Sequence, residues 1–248
     1  AIAAAGETAR THHIPCMIDL VGVGCSKLRR SFAHGFLLRA HPAVIKGNES
    51  EIRAICGVEH HARGIDNGEH GSLAQALTVA KQAARQFHTV VLLSGKTDLI
   101  TDGVCAFGVE NGDPLMARVT GTGCMQGAVV AVFLAVASPL EAALSGAAAM
   151  GLAGEYAAEQ FQSHGSISQF SLGILDGLFS LRDAAALRMN HCKQRKTIRS
   201  IRRLRIVSFL SFDRFDGVYN RQTCNLTQGN PRGQQADRHT DSYCFQKR

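Results

Sequence analysis

The sequence predicts an α/β fold in which a mostly parallel sheet is flanked by helices and carries one antiparallel hairpin. Three observations support this prediction. Short apolar runs of strand length alternate with longer segments of helical periodicity. An Asp-Gly pair at Asp102-Gly103 separates two apolar segments, which is typical of a hairpin turn. A Gly-rich stretch precedes a long apolar run, as expected where a tight turn leads into a helix.

The strands are predicted from their apolar content and from the residues that end them. They are Ile14–Val21, Ala43–Lys46, Thr89–Ser94, Asp98–Thr101 and Val104–Val109, with a further short strand at Pro114–Ala117. Asp19, Lys46 and Ser94 lie at or near the carboxyl ends of the first three strands. Ligands of open α/β sheets bind beyond this edge, so these residues mark the predicted site. The hairpin is expected at the antiparallel edge of the sheet.

The helices are predicted from apolar residues at helical spacing and from their caps. They are a helix end at residues 1–12, then Lys27–Leu38, Glu51–Cys56, Ser72–Phe87 and three Ala-rich helices at residues 125–137, 140–162 and 168–188. Residues 47–51 (Gly-Asn-Glu-Ser-Glu) break the second strand and cap the helix that follows. Residues 60–70 are polar and contain glycine, which predicts a loop. Lys27, Arg29 and Arg30 are interpreted as a solvated helix face.

The stretch Val119–Gly127 is the centre of the predicted site. Its glycines allow the backbone to come close to a ligand, and the first amides of the following helix have no partner within that helix. Gly121, Thr122, Gly123 and Cys124 are therefore predicted to form an anion hole, with the sulfur of Cys124 facing it. The stretch lacks the Gly-Lys-Ser/Thr of a P-loop and the spacing of a dinucleotide fingerprint. Taken alone, it is equally consistent with a plain helix-packing turn.

Composition excludes several classes of protein. The chain has 248 residues, of which 45% are hydrophobic, and this is enough for one sizeable domain. Eight Cys occur without CxxC pairs, so neither a zinc site nor a disulfide framework is predicted. Reduced thiols are typical of a cytoplasmic protein. No apolar run reaches the roughly 20 residues of a membrane span, and the start of the chain has no features of a secretory signal.

The positive charge is concentrated in the C-terminal segment. Residues 191–248 contain 13 Lys and Arg against 4 Asp and Glu, whereas the other 190 residues contain 14 against 16. We therefore predict one α/β domain at residues 1–190 and a basic, disordered or aberrant tail at residues 191–248. The cluster Arg195–Arg205 could bind nucleic acid or anionic lipid. The interpretation we favour is non-native sequence, so neither nucleic acid nor membrane is expected as a partner.

Five ordered motifs carry a resemblance to a known family. They are IDLVGVG (Ile18–Gly24), HPAVIKGNESEI (His41–Ile52), LLSGKTDLITDG (Leu92–Gly103), GDPLMARVTGTGC (Gly112–Cys124) and ISQFSLGILDGL (Ile167–Leu178). In this order and spacing the chain resembles the hydroxyethylthiazole kinases, thiamine-salvage members of the ribokinase-like superfamily, from Ala1 to about Arg188. The resemblance implies a ribokinase-like fold and transfer of the ATP γ-phosphoryl group, with Mg²⁺, to the hydroxyl of 4-methyl-5-(2-hydroxyethyl)thiazole. It also implies a homo-oligomer, namely a trimer with active sites between subunits.

The resemblance further implies roles for individual residues. Gly121 matches the glycine whose backbone contacts the thiazole. Cys124 matches the cysteine that replaces a catalytic Asp of other ribokinase-like enzymes, near the substrate hydroxyl. Asp19 and Glu51 match the acids near Mg²⁺ and the phosphates, which makes them the candidate metal ligands.

The candidate ATP-binding residues match with a change of side chain. Lys46 and Ser94 stand where the family usually has an Arg and a Thr that contact ATP. Lys loses the bidentate fork of Arg onto phosphate, whereas Ser keeps the hydroxyl group. Leu20 follows Asp19 where the family usually has Pro, and Glu49 replaces a small residue and adds negative charge near the nucleotide.

Departures at both ends of the chain leave alternatives open. The family's N-terminal segment, which includes a substrate-contacting Met, has no counterpart here, and the tail beyond Arg188 has none in the family. We therefore expect a truncated product, and an inactive or unstable kinase remnant that at most binds nucleotide is the second hypothesis. For Glu51, a first-turn acid that complements the helix dipole is an equally good interpretation. A cysteine hydrolase using Cys124 is the weakest hypothesis, since no His partner is indicated.

Overall fold

The computed structural model describes residues 1–57, 73–161, 165–190, 206–209 and 222–223. The helices in this part of the chain are α1 (Ile2–Thr11), α2 (Lys27–Ala40), α3 (Glu49–Ile55), α4 (Leu73–Phe87), α5 (Thr122–Leu134), α6 (Pro139–Phe161) and α7 (Ile167–Asn190). The strands are β1 (Met17–Asp19), β2 (Val44–Asn48), β3 (Val90–Ser94), β4 (Asp98–Thr101), β5 (Ala106–Val109), β6 (Ile206–Phe209) and β7 (Gln222–Thr223). The predicted loop at residues 60–70 lies outside the described residues, as does most of the predicted tail.

The strands form one mixed sheet whose strand order follows the chain. β1 and β2 pair in parallel, as do β2 and β3, whereas β4 and β5 continue the sheet in antiparallel pairing. The predicted hairpin around Asp102-Gly103 is confirmed. Gly103 adopts a φ of +93°, and the Asp102 Oδ1 accepts hydrogen bonds from the amides of Val104 and Cys105. Such positive φ is what the glycine supplies to the turn.

The described part of the predicted tail contains two short strands. β6 pairs antiparallel with β5, and β7 pairs antiparallel with β6. The hairpin of β4 and β5 is therefore followed by further strands and does not form the outer edge that we expected. The division into a domain at residues 1–190 and a tail at residues 191–248 stays a prediction.

Helices cover both faces of the sheet, because side chains alternate along its strands. Ile45, Val91 and Leu93 pack in one core with apolar residues of α2, α3 and α4. Val44 and Leu92 pack on the opposite face with apolar residues of α5 and α6. This three-layer arrangement, together with the parallel strands and the hairpin, confirms the predicted α/β class.

The outer helices are held by close contacts with their neighbours. A Cβ atom added at Gly6 of α1 would lie 2.5 Å from the Phe36 ring of α2, so the two helices pack closely there. Phe170 and Ile174 of α7 are buried against Met150 and neighbouring residues of α6. Among the described helices, none combines the length and apolar character that crossing a membrane requires.

Two predictions around the Gly-rich stretch were wrong. Pro114–Ala117 does not form a strand but belongs to a 3₁₀ helix at Pro114–Arg118. The reason is local, since Pro is favoured at a helix start and the side chain of Asp113 accepts a hydrogen bond of 2.9 Å from the Leu115 amide. Helix α5 begins at Thr122 rather than at residue 125, because Gly121 adopts a left-handed conformation and caps the helix there.

Candidate functional site

The parallel pairing of β1 and β2 brings two predicted site residues together. Asp19 lies opposite Lys46 in the register of the two strands. The Nζ atom of Lys46 is 3.2 Å from the Oδ2 atom of Asp19, and the Lys46 side chain is only 4% exposed. A candidate metal ligand and a candidate ATP-binding residue therefore form one largely buried ion pair at the carboxyl edge of the sheet.

The carboxylate of Asp19 has unused hydrogen-bonding capacity. Burial raises the pKa of Asp19, the positive charge and hydrogen bond of Lys46 oppose that rise, and the nearby negative charge of Glu51 adds to it. The second oxygen, Oδ1, is buried and has no hydrogen-bond partner among the described residues. A buried acceptor without a partner is costly, so this oxygen is available to a ligand.

Glu51 holds the loop after β1 against the start of α3. Its Oε1 atom accepts a hydrogen bond of 2.9 Å from the Gly22 amide, and its Oε2 atom accepts one of 2.9 Å from the Asn48 amide. The Asn48 side chain accepts in return from the Glu51 amide at 2.9 Å, which completes a capping box. The structure therefore bears out a capping role for Glu51, and its effect on Asp19 also places its charge near the ion pair.

The first turns of α5 lie directly beside the Asp19–Lys46 pair. A Cβ atom added at Gly123 would be 3.4 Å from the Lys46 Nζ, and one added at Gly127 would be 3.6 Å from the Asp19 Oδ2. The absence of side chains at these two positions is what allows the close approach. The helix N-terminus carries partial positive charge and faces the same region as the Lys46 ammonium, so an anion would be favoured there.

At the corner itself, a left-handed glycine leads directly into the first turn of α5. Gly121 has a φ of +98°, and the Met125 amide donates to its carbonyl oxygen at 2.9 Å. The amides of Thr122, Gly123 and Cys124 form the first turn and so have no partner within the helix. The Cys124 side chain is exposed at this turn. These four positions thus lie together as predicted, although their role remains a prediction.

Ser94 lies on the same edge of the sheet but one strand further from the ion pair. It is the last residue of β3 and lies opposite Asn48 in the parallel register. Its neighbour Gly95 begins the turn into β4 and donates its amide to the Oδ1 of Asp98 at 3.0 Å. Ser94 therefore lies at the same edge of the sheet as Lys46. Its partner in the register is Asn48 rather than Lys46.

Two residues of this edge, Gln126 and Asp98, were not predicted as site residues from the sequence. The Nε2 of Gln126 in α5 donates to the Oδ2 of Asp98 in β4 at 2.5 Å. Burial raises the pKa of Asp98 to about 6, although hydrogen bonds from Gly95 and Gln126 and the charge of Lys46 oppose the rise. A signal was present, because Gln126 interrupts the otherwise apolar side of α5 and a buried amide needs a partner. The identity of that partner depends on the tertiary fold.

Two arginines of α2 donate to the loop that follows β1. The Arg29 guanidinium approaches the Val21 carbonyl at 3.5 Å, and the Arg30 Nε donates to the Val23 carbonyl at 3.4 Å. Arg29 is exposed and Arg30 is half-buried, which agrees with a solvated helix face, and the two guanidinium groups add these contacts to the loop. Together with Glu51, they hold the loop next to Asp19 in place.

The carboxylates of this edge do not form a complete metal cage by themselves. Among the described residues, no group of three or more His, Cys, Asp and Glu side chains is arranged to hold a metal ion. Mg²⁺ is commonly bound by one or two carboxylates together with substrate phosphates and water. A cation at this edge would therefore depend on oxygen ligands that a phosphate-bearing substrate brings.

Comparison with known proteins identifies relatives over most of the chain. A family model described as the hydroxyethylthiazole kinase family matches residues 1–184. A hydroxyethylthiazole kinase of Nitratidesulfovibrio vulgaris (strain DP4) is 42% identical over 178 residues, which cover 71% of this chain and 65% of that protein. A hydroxyethylthiazole kinase 2 of Clostridium botulinum (strain Okra / Type B1) is 37% identical over 183 residues, which cover 72% and 68%.

A solved structure extends the similarity to the fold. The hydroxyethylthiazole kinase protein from Pyrococcus horikoshii OT3 matches with a TM-score of 0.66 at 31% identity, covering 84% of this chain and 70% of that one. The chain spans 65% of the length of the Nitratidesulfovibrio relative. The shared part includes the edge where Asp19, Lys46 and the α5 N-terminus meet, since the family model covers all of these positions.

Proposed function

The chain belongs to the hydroxyethylthiazole kinase family, and on this premise we propose that it transfers the γ-phosphoryl group of ATP to the hydroxyl of 4-methyl-5-(2-hydroxyethyl)thiazole. One observation carries the proposal. The Asp19–Lys46 ion pair and the first turn of α5 meet at one edge of the sheet. This edge offers carboxylate oxygens, one ammonium group and free backbone amides, which are the groups that phosphoryl transfer needs.

Catalysis in this proposal consists mainly of positioning and charge stabilisation. The amides of Thr122, Gly123 and Cys124 would hold the oxygens of the transferring group, aided by the dipole of α5. The Lys46 ammonium, close to Gly123, would neutralise phosphate charge from the sheet side. The hydroxyl of Ser94 would contact ATP from the neighbouring strand, and the backbone of Gly121 would contact the thiazole.

Cys124 would act next to the substrate hydroxyl. Its exposed side chain lies in the first turn of α5, where a reacting hydroxyl could reach both the sulfur and the free amides. A thiol is a weaker general base than the carboxylate found in other ribokinase-like enzymes, so we expect a modest turnover. In this account the amides and the cations stabilise the transferring group, and Cys124 contributes the removal of the proton from the hydroxyl.

The acids of this edge fit Mg²⁺ bound together with ATP. The Oδ1 of Asp19 is a buried oxygen without a partner among the described residues, and carboxylate oxygens are the ligands that Mg²⁺ prefers. Both oxygens of Glu51 already accept backbone amides, so Asp19 is the better candidate and Glu51 a supporting one. When bound, the cation would neutralise phosphate charge and help to orient the phosphates.

The subunit arrangement and location are proposed from the family alone. We expect a homo-oligomer, a trimer with sites between subunits, that acts in the cytoplasm as part of thiamine biosynthesis or salvage. Light scattering of the purified chain would measure its mass in solution. A monomeric mass with full activity would contradict the proposed arrangement.

The test of the proposed function is ATP-dependent phosphorylation of the thiazole alcohol by the purified chain. We expect Mg²⁺-dependent product with the wild-type chain and a large loss with Cys124→Ala. Cys105→Ala is the matched control, because Cys105 is also an exposed cysteine but lies in the hairpin turn. A folded wild-type chain that gives no product would overturn the proposal, and ATP binding without product would favour the inactive remnant.

A further inference from the structure

The carboxylate of Asp98 is shared between two segments that the proposed function uses. Its Oδ1 accepts the amide of Gly95 at 3.0 Å, and its Oδ2 accepts the side-chain amide of Gln126 at 2.5 Å. Gly95 directly follows Ser94, the proposed ATP contact at the end of β3. Gln126 lies one turn into α5, whose first amides are the proposed anion hole. One side chain thus bridges the proposed nucleotide side and the proposed phosphoryl-transfer side.

Gln126, the partner of Asp98 on α5, is held firmly enough to couple α5 to Asp98. Gln126 is 7% exposed, so its amide cannot turn to water without rearrangement of the core. The next residue, Gly127, lies against both members of the ion pair: a Cβ atom added there would be 3.6 Å from the Asp19 Oδ2 and 3.7 Å from the Lys46 Cδ. A shift at Gln126 would therefore move the helix start relative to both the ion pair and the strand edge, since interiors are close-packed.

We propose that Asp98 is a positioning residue, which joins the Ser94–Gly95 turn to the N-terminus of α5 through Gln126 and so keeps the two halves of the site in register. This inference rests on the proposed function for its catalytic meaning. The link itself is a property of the fold and can be measured without activity. Neither Asp98 nor Gln126 contacts the reacting atoms in this account; Asp98 acts through the Gly95 amide that it accepts, and Gln126 acts through the position of α5.

Exchanging the carboxylate and the amide between positions 98 and 126 tests the hydrogen bond that joins them. Gln126→Glu removes the amide donor and places a second carboxyl group against Asp98, so at alkaline pH, where both groups are ionised, the two carboxylates repel each other. Adding Asp98→Asn to that variant restores a donor and acceptor pair. The new side-chain oxygen at position 98 would accept from Gly95, and the new amide nitrogen there would donate to the carboxylate at position 126. Because Glu and Gln have nearly the same volume, Gln126→Glu should have no effect if position 126 matters only for its volume.

A matched control separates the link from general stability. The buried hydroxyl of Thr89 donates to the Pro42 carbonyl at 2.7 Å, at the opposite end of β3. Thr89→Val removes a buried hydrogen bond from the same sheet without touching the site. It is expected to lower the unfolding midpoint while leaving the KM for ATP unchanged.

The experiment compares amide hydrogen exchange and steady-state kinetics for the wild type and these variants. With Gln126→Glu we expect faster exchange in both residues 94–97 and residues 121–125, a loss of kcat/KM of at least about tenfold and a raised KM for ATP. The double variant should restore exchange and kinetics to within about threefold of wild type. If Gln126→Glu does not fold, Gln126→Leu tests the same link by removing the donor alone.

The outcomes distinguish this inference from the proposed function. Faster exchange confined to α5, or a double variant that rescues neither segment, would overturn the link. Faster exchange in both segments with unchanged kinetics would show that the link exists but does not position groups for the reaction. A wild-type chain that folds but has no kinase activity would overturn the proposed function, while the exchange data would still decide whether Asp98 joins the two segments.

Discussion

The Nζ atom of Lys46 lies 3.2 Å from the Oδ2 atom of Asp19, across the parallel pair of strands β1 and β2. The two side chains are 4% and 20% exposed, so each largely replaces water as the other's partner. Removing one partner of a buried pair is costly, because the remaining charge is left without compensation. The site therefore depends on this pair for stability as well as for chemistry.

Lys46→Met is expected to destabilise the protein and abolish activity. Asp19 would be left buried without its cation, which costs on the order of 3 kcal/mol. Urea unfolding measures this change directly. Arg39→Ala serves as the control, because the Arg39–Glu7 pair is 51% and 53% exposed and such surface pairs contribute at most about 1 kcal/mol. Equal effects of the two substitutions would contradict a special role for the buried pair.

Two single-methyl substitutions at the α5 corner should have opposite effects on stability. Gly121→Ala forces a residue with a side chain into a φ of +98°, so a loss of about 1–2 kcal/mol is expected. Gly123→Ala lies within the helix, where Ala is favoured over Gly by up to about 1 kcal/mol. Its methyl group would nevertheless stand 3.4 Å from the Lys46 ammonium, and we expect it to lower kcat/KM by hindering an anion.

Thermal unfolding and steady-state kinetics on this pair provide the check. The prediction requires that the more stable variant, Gly123→Ala, still be impaired in catalysis. A fully active Gly123→Ala enzyme would show that no anion binds in the space between the helix start and Lys46.

The contribution of Asp98 to the stability of the fold should fall as pH rises from about 4 to about 6. Burial raises the pKa of Asp98 from 3.8 to about 6, so in this interval the folded state binds more protons than the unfolded state. The loss is complete above about pH 6 and amounts to no more than about 3 kcal/mol, at 1.4 kcal/mol for each pH unit. Asp98→Asn removes the ionisation and should flatten this part of the profile.

Urea denaturation at pH 4.5, 6 and 7.5 measures the effect as a difference between the wild type and Asp98→Asn. Other acids, including Asp19, titrate in both proteins and so cancel from the difference. A difference in unfolding free energy that does not change over this range would mean that Asp98 is ionised in the fold at acidic pH.

Glu51→Gln should separate the structural role of this residue from a role towards Mg²⁺. The amide oxygen of Gln can replace one of the two acceptors that hold the Gly22 and Asn48 amides, so a loss of about 1 kcal/mol is expected. If the charge of Glu51 acts on the cation, the Mg²⁺ concentration required for half-maximal activity should rise several-fold. An unchanged Mg²⁺ requirement would leave Glu51 with the capping role alone.

The sequence predicted the part of the site that depends on local patterns. The ends of β1, β2 and β3 could be located because short apolar runs stop at polar residues, and the parallel arrangement then brings Asp19 beside Lys46. Family resemblance added the substrate class, which the pattern of residues alone did not provide. The strand at Pro114–Ala117 was wrong, because Asp113 and Pro114 begin a helical turn.

The bridge at Asp98 could not be predicted in the same way. Gln126 and Asp98 are 28 residues apart, and their contact depends on the packing of α5 against the sheet. The polar residue in an apolar helix was a visible signal, but it does not specify a partner. The displaced start of α5 has a similar cause, since the conformation of Gly121 rather than apolar periodicity fixes the first turn.

The alternation along β2 has a consequence for how this chain tolerates changes of length. Val44 and Lys46 point towards α5 and α6, whereas Ile45 between them points towards α2, α3 and α4. Inserting or deleting one residue within β2 would reverse this order and place the ammonium in the apolar layer on the opposite face. Loops can lengthen without this effect. The spacing of residues within the strand is therefore under as strict a constraint as their identity.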